Sequence, residues 1–180
     1  VAKTLGMDGR ISPKFFHPGP GFGGSCFPKD TKALVEIAKN YKINMAVVTA
    51  AIEANNFQRK RMLNKLNELL DNNLKGKVIA ILGLAFKQET DDVRESPAID
   101  IISGIHDEGG IIKAYDPIAN DSMKEIFPAL DFKSNWHKAV EGSDAAVIMT
   151  EWNEFRCMDL EKLKNLMSQS VVLDTRNILN

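Results

Sequence analysis

The sequence predicts an α/β protein in which a helical N-terminal region is followed by a doubly wound, mainly parallel sheet. Apolar residues repeat every three or four positions up to about residue 74, and short continuous apolar runs alternate with helical patterns after it. A continuous apolar run of strand length is typical of a strand that helices cover on both faces. Asn-Asn at 72–73 and Lys-Gly-Lys at 75–77 separate the two patterns, so we predict domains at residues 1–74 and 75–180.

The individual elements follow from the same periodicities. We predict helices over residues 28–41 and 45–74, and the second would be about 45 Å long. A helix of this length is longer than a small domain covers, so part of its apolar face is expected to contact another domain or a second subunit. We therefore predict a homodimer formed through residues 45–74. After it we predict strands at 77–84, 111–115, 145–149 and 171–173, helices at 97–107, 121–127, 135–142 and 159–167, and a weak extra segment at 131–133.

Composition excludes several classes of function. Lys and Arg number 23 against 24 Asp and Glu, so the net charge of −1 provides no long-range field for collecting nucleic acid. The apolar runs are far shorter than the ~20 residues of a membrane helix, and the N-terminus shows no signal-peptide pattern, so we predict a cytoplasmic protein without membrane contact. The two cysteines form no CxxC pair and have no histidine at ligand spacing, which argues against a disulfide scaffold and against bound metal.

A glycine-rich loop carries the strongest chemical signal. Four glycines within residues 19–24 precede Cys26, and Pro28 suits the first turn of a helix because its missing N–H would be unpaired there. The helix dipole and the nearby Lys29 both favour the thiolate of Cys26. The glycines let a substrate approach the main chain and accept hydrogen bonds from its N–H groups. We therefore interpret Cys26 as a nucleophile and not as a small buried hydrophobe.

Asp30 follows Cys26 at a spacing that permits contact on one helix face. A carboxylate this close to the sulfur opposes thiolate formation, so activation of the thiol is a poor role for it. Positioning a water molecule or anchoring a cation is more plausible. An acid in the first turn also stabilises any helix, which is the purely structural interpretation of Asp30.

Three cations follow strands of the predicted sheet. Lys87 and Arg94 come after the first strand and Arg176 after the last. Because the carboxyl ends of parallel strands share one edge of a sheet, where ligands bind, these three side chains are predicted to converge on one anion. Each could instead pair with a nearby carboxylate. Residues 83–85, Gly-Leu-Ala, lack the three-glycine pyrophosphate fingerprint, so we assign no NAD site to this domain.

The other polar candidates are weaker. Asp116 ends the second strand of the domain, and we interpret it as a turn residue. His106 and His137 lie in helical patterns without an acid or cysteine at ligand spacing, so we assign them no function. Cys157, beside Met158, is predicted to be buried and inert.

Residues 21–30, Gly-Phe-Gly-Gly-Ser-Cys-Phe-Pro-Lys-Asp, resemble the active-site loop of the UDP-glucose/GDP-mannose dehydrogenase family, and specifically that of UDP-glucose 6-dehydrogenases. The resemblance extends from Gly-Arg-Ile at 9–11 to Arg176 and includes residues 83–87, 92–97 and 174–176. It implies a central helical dimerisation region followed by a Rossmann-like, UDP-binding domain. Phe-Pro-Lys-Asp at 27–30 favours UDP-glucose over the UDP-N-acetyl sugars of related enzymes.

The resemblance also implies a reaction, the NAD-dependent four-electron oxidation of UDP-glucose to UDP-glucuronate. In this family the cysteine captures the aldehyde formed by a first hydride transfer, and a second transfer leaves a thioester that water hydrolyses. Cys26 would be that nucleophile and would also contact NAD, while Asp30 would help to position the water. The family's catalytic lysine and asparagine lie upstream of Val1. The chain is therefore expected to be a fragment without the NAD-binding domain and inactive alone.

Further site residues are implied by the same resemblance. The sugar and phosphate site would be lined by Phe15, His17, Pro18, Gly19 and Gly23. UDP would be held by Phe86, Lys87 and Arg176. Arg94 would reach NAD, and Arg10 would reach the substrate of a neighbouring subunit.

Two alternatives remain open from the sequence. The first is a dehydrogenase of another nucleotide sugar, a UDP-N-acetylhexosamine or GDP-mannose. The second is a non-catalytic, nucleotide-binding dimerisation module in which Cys26 serves as a redox-sensitive thiol.

Overall fold

A computed structural model describes residues 1–179, apart from the side chains at positions 2, 14 and 15, and confirms an α/β protein with an all-parallel sheet. The sheet has five strands in the order β3-β2-β1-β4-β5. The strands are β1 (Val78–Leu82), β2 (Ile111–Tyr115), β3 (Asp131–Phe132), β4 (Ala145–Ile148) and β5 (Val171–Asp174). The helices are α1 (Ala2–Gly6), α2 (Cys26–Asn40), α3 (Ala46–Leu69), α4 (Pro97–Asp107), α5 (Asn120–Ile126), α6 (Trp136–Val140), α7 (Asn153–Arg156) and α8 (Leu160–Leu166), with a 3-10 turn at Pro13–Phe16.

The central strand β1 shows why its sequence is apolar without interruption. Ile79 pairs with Ile112 of β2 on one side and with Ala145 of β4 on the other. Successive side chains of a strand point to opposite faces, and helices cover both faces here. Ile79 therefore belongs to one hydrophobic core and its neighbour Ala80 to the other. The strand order reverses between β1 and β4, so the carboxyl ends of these two strands form the crevice where parallel α/β sheets bind ligands.

The structure shifts several predicted boundaries. Helix α2 begins at Cys26, before the predicted residue 28, and α3 ends at Leu69 instead of residue 74. Asp71 and Asn72 adopt positive φ angles of 56° and 55°, a conformation that ends a right-handed helix. The weak segment at 131–133 is the edge strand β3. Helices α1 and α7 and the 3-10 turn were not predicted, because each is too short to establish a periodic pattern.

Helix α3 connects the glycine loop with the sheet. Its second half buries Met62 and Leu66 in the same core as Ile79. It packs so closely on α4 that a Cβ at Gly104 would lie 2.3 Å from Leu63 Cδ2. Its first half is more open, and Val47 is 84% exposed. Among the described helices, none is long and apolar enough to cross a membrane.

Replacement of Leu66 by Ala tests how firmly α3 is anchored. Leu66 is completely buried, so Leu66→Ala is expected to lower the free energy of unfolding by about 2–5 kcal/mol through lost burial and a cavity. Urea denaturation followed by circular dichroism measures this loss. The matched control is Leu69→Ala, because Leu69 is 47% exposed and should cost less than about 1 kcal/mol. Equal losses in both variants would contradict the described packing.

Candidate active site

Cys26 occupies the first residue of α2, at the end of the glycine loop. Its side chain is exposed, and its Sγ lies 3.7 Å from Ser25 Oγ. Pro28 is buried in the first turn, as its sequence position predicts. The thiol therefore lies beside the unpaired N–H groups of a 15-residue helix, where the helix dipole favours negative charge.

Asp30 lies one turn further along α2 and not in its first turn. Its Oδ1 is 3.2 Å from Lys29 Nζ, and both side chains are largely exposed. The purely structural interpretation of Asp30, as an acid in the first turn, is therefore wrong, because the helix begins earlier than predicted. The Cys26 thiol and the Asp30 carboxylate occupy positions i and i+4 of α2, which share one face.

The glycine loop packs directly on the domain that contains the sheet. The Gly24 N–H donates a hydrogen bond of 2.9 Å to the Arg94 carbonyl. A Cβ at Gly23 would lie 2.3 Å from the Glu95 carbonyl oxygen, and one at Gly24 would lie 2.9 Å from the Phe86 ring. Gly24 also has a φ of +84°, which glycine adopts at low cost. The two glycines thus permit a contact between main chains that brings Cys26 close to Phe86 and Arg94.

Arg94 and Lys87 both lie near Asp92 at this edge of the sheet. Arg94 donates from Nε and Nη2 to the Asp92 carboxylate, at 2.9 and 2.7 Å. This hydrogen bonding, followed by the charge of Asp92, raises the pKa of Arg94, and the neighbouring Cys26 acts in the same direction. The Arg94 hydrogen bond lowers the pKa of Asp92, to which the charge of Lys87 also contributes. Lys87 Nζ lies 5.4 Å from the centre of the Phe86 ring.

Arg176 lies between the sheet and the glycine loop. Its Nε donates to the Met149 carbonyl at 2.8 Å and its Nη2 to the Phe86 carbonyl at 2.9 Å. Burial lowers the pKa of Arg176, and the charge of Glu151 opposes that shift. The three predicted cations therefore share one region but have different partners. Arg176 contacts main-chain carbonyls and Glu151, Arg94 binds Asp92, and Lys87 lies over the Phe86 ring.

A cavity of about 650 Å³ lies between the glycine loop and α3. Its volume is within the range of small-molecule sites. A groove of about 630 Å³ beside β2 and β3 is mainly apolar and contains none of the predicted site residues. The first cavity brings together three of those residues, His17, Gly19 and Arg176, with Phe22, Asn55 and Gln58.

Several other residues named in the sequence analysis are not among those that line this cavity. Arg10 is 89% exposed on its side chain, and its Nη2 lies 2.6 Å from Asp8 Oδ2. Pro18 is exposed. The side chain of Phe15 falls outside the described part of the chain. Cys157 was predicted to be buried, but its side chain is exposed, because it follows the last turn of α7 whereas its neighbour Met158 packs into the core.

Asp116 closes the end of β1 and is 1% exposed. Asp116 is a turn residue in that its carboxylate accepts hydrogen bonds from the N–H groups of Ile118 and Ala119, which follow it. The same carboxylate also accepts from Leu84 and Ala85 and so holds the turn after β1. This occupies main-chain N–H groups that a phosphate would otherwise use. The five donors to Asp116 are the N–H groups of Leu84, Ala85, Ile118 and Ala119 and Nε1 of Trp152.

Sequence reasoning missed the polar residues of α3 that contact the loop. Asn55, Gln58 and Arg59 donate hydrogen bonds to main-chain carbonyls of residues 19–22. The sequence does contain an indication of these contacts, because the apolar repeat of this helix is interrupted by polar residues between Ile52 and Leu63. Polar residues that continue an apolar face indicate polar partners within the fold.

The parallel sheet, its reversal of strand order and the crevice above β1 and β4 place the chain in the class of Rossmann-like α/β proteins. Residues 80–180 match the UDP binding domain of the UDP-glucose/GDP-mannose dehydrogenase family, and residues 1–57 match the central domain of that family. The chain therefore belongs to the UDP-glucose/GDP-mannose dehydrogenase family, which confirms the resemblance seen in the sequence.

Individual relatives agree with this assignment. The chain is 44% identical to a UDP-glucose 6-dehydrogenase of Rickettsia bellii over 181 residues, which cover 99% of this chain and 42% of that protein. It superposes on a UDP-glucose dehydrogenase structure from Pyrobaculum islandicum with a TM-score of 0.85, 26% identity and coverage of 97% of this chain and 42% of that one. A UDP-D-ManNAc dehydrogenase from Pyrococcus horikoshii gives a TM-score of 0.81, 29% identity and coverage of 99% and 40%. The chain thus spans about two fifths of the length of these relatives.

Substitution of Gly23 tests the contact between the glycine loop and the sheet domain. In Gly23→Ala the new methyl group would overlap the Glu95 carbonyl, so the loop must move, and we expect a loss of about 1–3 kcal/mol in the free energy of unfolding. Denaturant titration measures it. Gly9→Ala is the control, because a Cβ there meets no atom within 4 Å. A Gly23→Ala variant as stable as Gly9→Ala would show that the loop does not pack as described.

Proposed function

We propose that this protein carries out the NAD-dependent, four-electron oxidation of UDP-glucose to UDP-glucuronate, with Cys26 as nucleophile. One observation carries the proposal. The exposed Cys26 thiol starts a 15-residue helix, on a glycine loop that packs against Phe86 and Arg94 of the domain matched to UDP binding. The name of the Rickettsia bellii relative supports UDP-glucose as the substrate.

The chemistry proposed for Cys26 follows from its position. The Cys26 thiolate adds to the aldehyde carbon at C6 of the sugar and forms a thiohemiacetal once the former carbonyl oxygen takes up a proton. Loss of a hydride and a proton converts this adduct into a thioester. A water molecule then attacks the thioester carbon, so that the C–S bond breaks, the carboxylate is released and the thiol is restored.

The neighbouring residues supply binding and orientation in this proposal. Asp30 shares a helix face with Cys26, from which its carboxylate would orient the attacking water. Lys87 and Arg176 flank Phe86 and would hold the diphosphate and uracil end of the substrate, while the loop residues Phe15, His17, Pro18, Gly19 and Gly23 would line the sugar and phosphate site. Arg10, whose side chain is exposed, would reach the substrate of a second subunit.

Two NAD molecules, bound one after the other, would accept the two hydrides: the first from the C6 alcohol, which becomes the aldehyde, and the second from the thiohemiacetal. The turn after β1 does not fit the pyrophosphate of a dinucleotide, because the N–H groups of Leu84 and Ala85 are engaged by Asp116. The proposal therefore places NAD outside the domain that contains the sheet, with Arg94 and Cys26 at the border of its site. Residues 1–180 alone are accordingly expected to form no NADH.

Dimerisation and a cytoplasmic location complete the proposal. Large apolar side chains on α2 and on the first half of α3 are exposed, and a second copy of the chain would cover them. They include Leu34, Ile37, Val47 and Phe57, together with Tyr41 directly after α2.

Another nucleotide sugar is the second candidate substrate. The similarity to the Pyrococcus horikoshii UDP-D-ManNAc dehydrogenase favours a UDP-N-acetylhexosamine, and the family description also includes GDP-mannose. NADH formation by the full-length natural protein, measured with each sugar nucleotide in turn, separates these substrates.

Calorimetric titration tests UDP-glucose binding. We expect binding by residues 1–180, and we expect Lys87→Ala to weaken it by about 10-fold to 100-fold, because a charged donor to a phosphate is lost. Lys164→Ala is the control, since Lys164 is an exposed lysine of α8. An absence of heat at millimolar UDP-glucose would count against the proposed substrate.

Alkylation rates test whether Cys26 is activated. Both cysteines are exposed, so a difference in rate reports thiolate character and not access. At pH 7 Cys26 is expected to react with iodoacetamide at least about 10-fold faster than Cys157, measured by mass spectrometry of the two peptides. Equal, slow rates would favour the non-catalytic module.

A further inference from the structure

The face of α3 that lies beside the glycine loop holds the loop through its main chain. Asn55 exchanges two hydrogen bonds with Phe22: it accepts from the Phe22 N–H at 2.7 Å and donates to the Phe22 carbonyl at 3.2 Å. Gln58 donates to the Gly19 carbonyl at 2.9 Å. These contacts fix the path of the loop a few residues before Cys26.

Arg59, on the same face, joins the loop to the sheet domain. Its Nη2 donates to the Phe22 carbonyl at 2.7 Å and to the Glu95 carbonyl at 2.8 Å, and its Nη1 donates to Asp100 Oδ2 at 2.6 Å. The residue is only 8% exposed. A buried guanidinium is costly unless its donors are used. Among the described residues the buried Nε of Arg59 has no partner, so this position depends on the three acceptors of Nη1 and Nη2 being held in place.

The backbone of the loop is shaped to accept Arg59. Gly21 has a φ of +119°, and a Cβ there would lie 2.7 Å from Asn55 Oδ1 and 3.3 Å from Arg59 Cγ. Any side chain at position 21 would thus separate the loop from α3. The absence of a side chain at Gly21 therefore leaves room for the aliphatic part of the Arg59 side chain.

We propose that Arg59 is a positioning residue that sets where Cys26 lies relative to the UDP-binding domain. Arg59 acts through the Phe22 carbonyl, four residues before Cys26, and the Glu95 carbonyl, next to Arg94. The Gly24 N–H to Arg94 carbonyl hydrogen bond lies between these two fixed points. The effect on catalysis rests on the function proposed above, whereas the effect on the loop does not.

Arginine suits this role because its planar fork presents several donors in fixed directions. A lysine would keep the charge and the ion pair with Asp100, but a single ammonium group does not reproduce the spacing of the guanidinium donors. Arg59→Lys therefore keeps the positive charge but removes the paired hydrogen bonds that join the Phe22 and Glu95 carbonyls.

The test compares Arg59→Lys with Lys60→Met in the full-length natural protein, because Lys60 is an exposed neighbour on α3. Hydrogen exchange of the peptide containing residues 20–25 reports the two hydrogen-bonded amides of the loop, those of Phe22 and Gly24. We expect Arg59→Lys to speed their exchange at least about 10-fold and to lower kcat by about 100-fold through misplacement of the thiol, with KM for UDP-glucose changed less than about threefold. Lys60→Met should leave all three quantities unchanged.

The outcomes are distinct. Unchanged exchange in Arg59→Lys overturns the proposal whatever the activity. Faster exchange with unchanged kcat also overturns it, because Arg59 would then support stability alone. If the parent protein forms no NADH from UDP-glucose, the proposed function fails, and the exchange rates still decide whether Arg59 holds the loop.

Discussion

The contact between the glycine loop and the turn at residues 94–95 is the constraint on which the candidate site depends. A hydrogen bond from Gly24 to the Arg94 carbonyl and the absence of side chains at Gly23 and Gly24 let two main chains meet. Without this approach, the first turn of α2 would have no fixed relation to Phe86. The geometry of the thiol is therefore set by backbone packing, and the side chains around it are arranged by that packing.

Two different kinds of interaction support this contact. On the sheet side, the turn after β1 is held by Asp116. Its buried carboxylate accepts hydrogen bonds from Leu84, which follows β1, and from Ala119, which follows β2. On the helix side, Arg59 donates hydrogen bonds to one carbonyl of the loop and one of the turn. Both residues use charge on buried main-chain groups, where hydrogen bonds to charged partners are stronger than those between neutral groups. The site is thus braced by ionised side chains that do not themselves face the thiol.

Local signals in the sequence were sufficient for much of the fold. Helix α4 and strand β2 have the predicted bounds because Ser96 and Pro97 mark one boundary and Gly109 and Gly110 another. The cysteine loop could be identified from its glycines. The contacts of Arg59 could not, because Phe22 and Glu95 are more than 30 residues away on either side, and helical periodicity carries no information about distant partners. The exposure of Cys157 was missed for a similar reason. Which of the neighbours Cys157 and Met158 is buried depends on the packing around them and not on the local sequence.

The occupation of the β1 turn by Asp116 has a consequence for how phosphate charge is recognised. Many nucleotide-binding folds use main-chain dipoles at this turn, which are fixed and neutral overall. Here the N–H groups of Leu84 and Ala85 already donate to a carboxylate, so a diphosphate bound as proposed would rely on the ammonium and guanidinium groups nearby. Attraction to such groups is screened by dissolved ions. Affinity for a nucleotide at this edge should consequently vary with ionic strength more steeply than in folds where the backbone makes the contact.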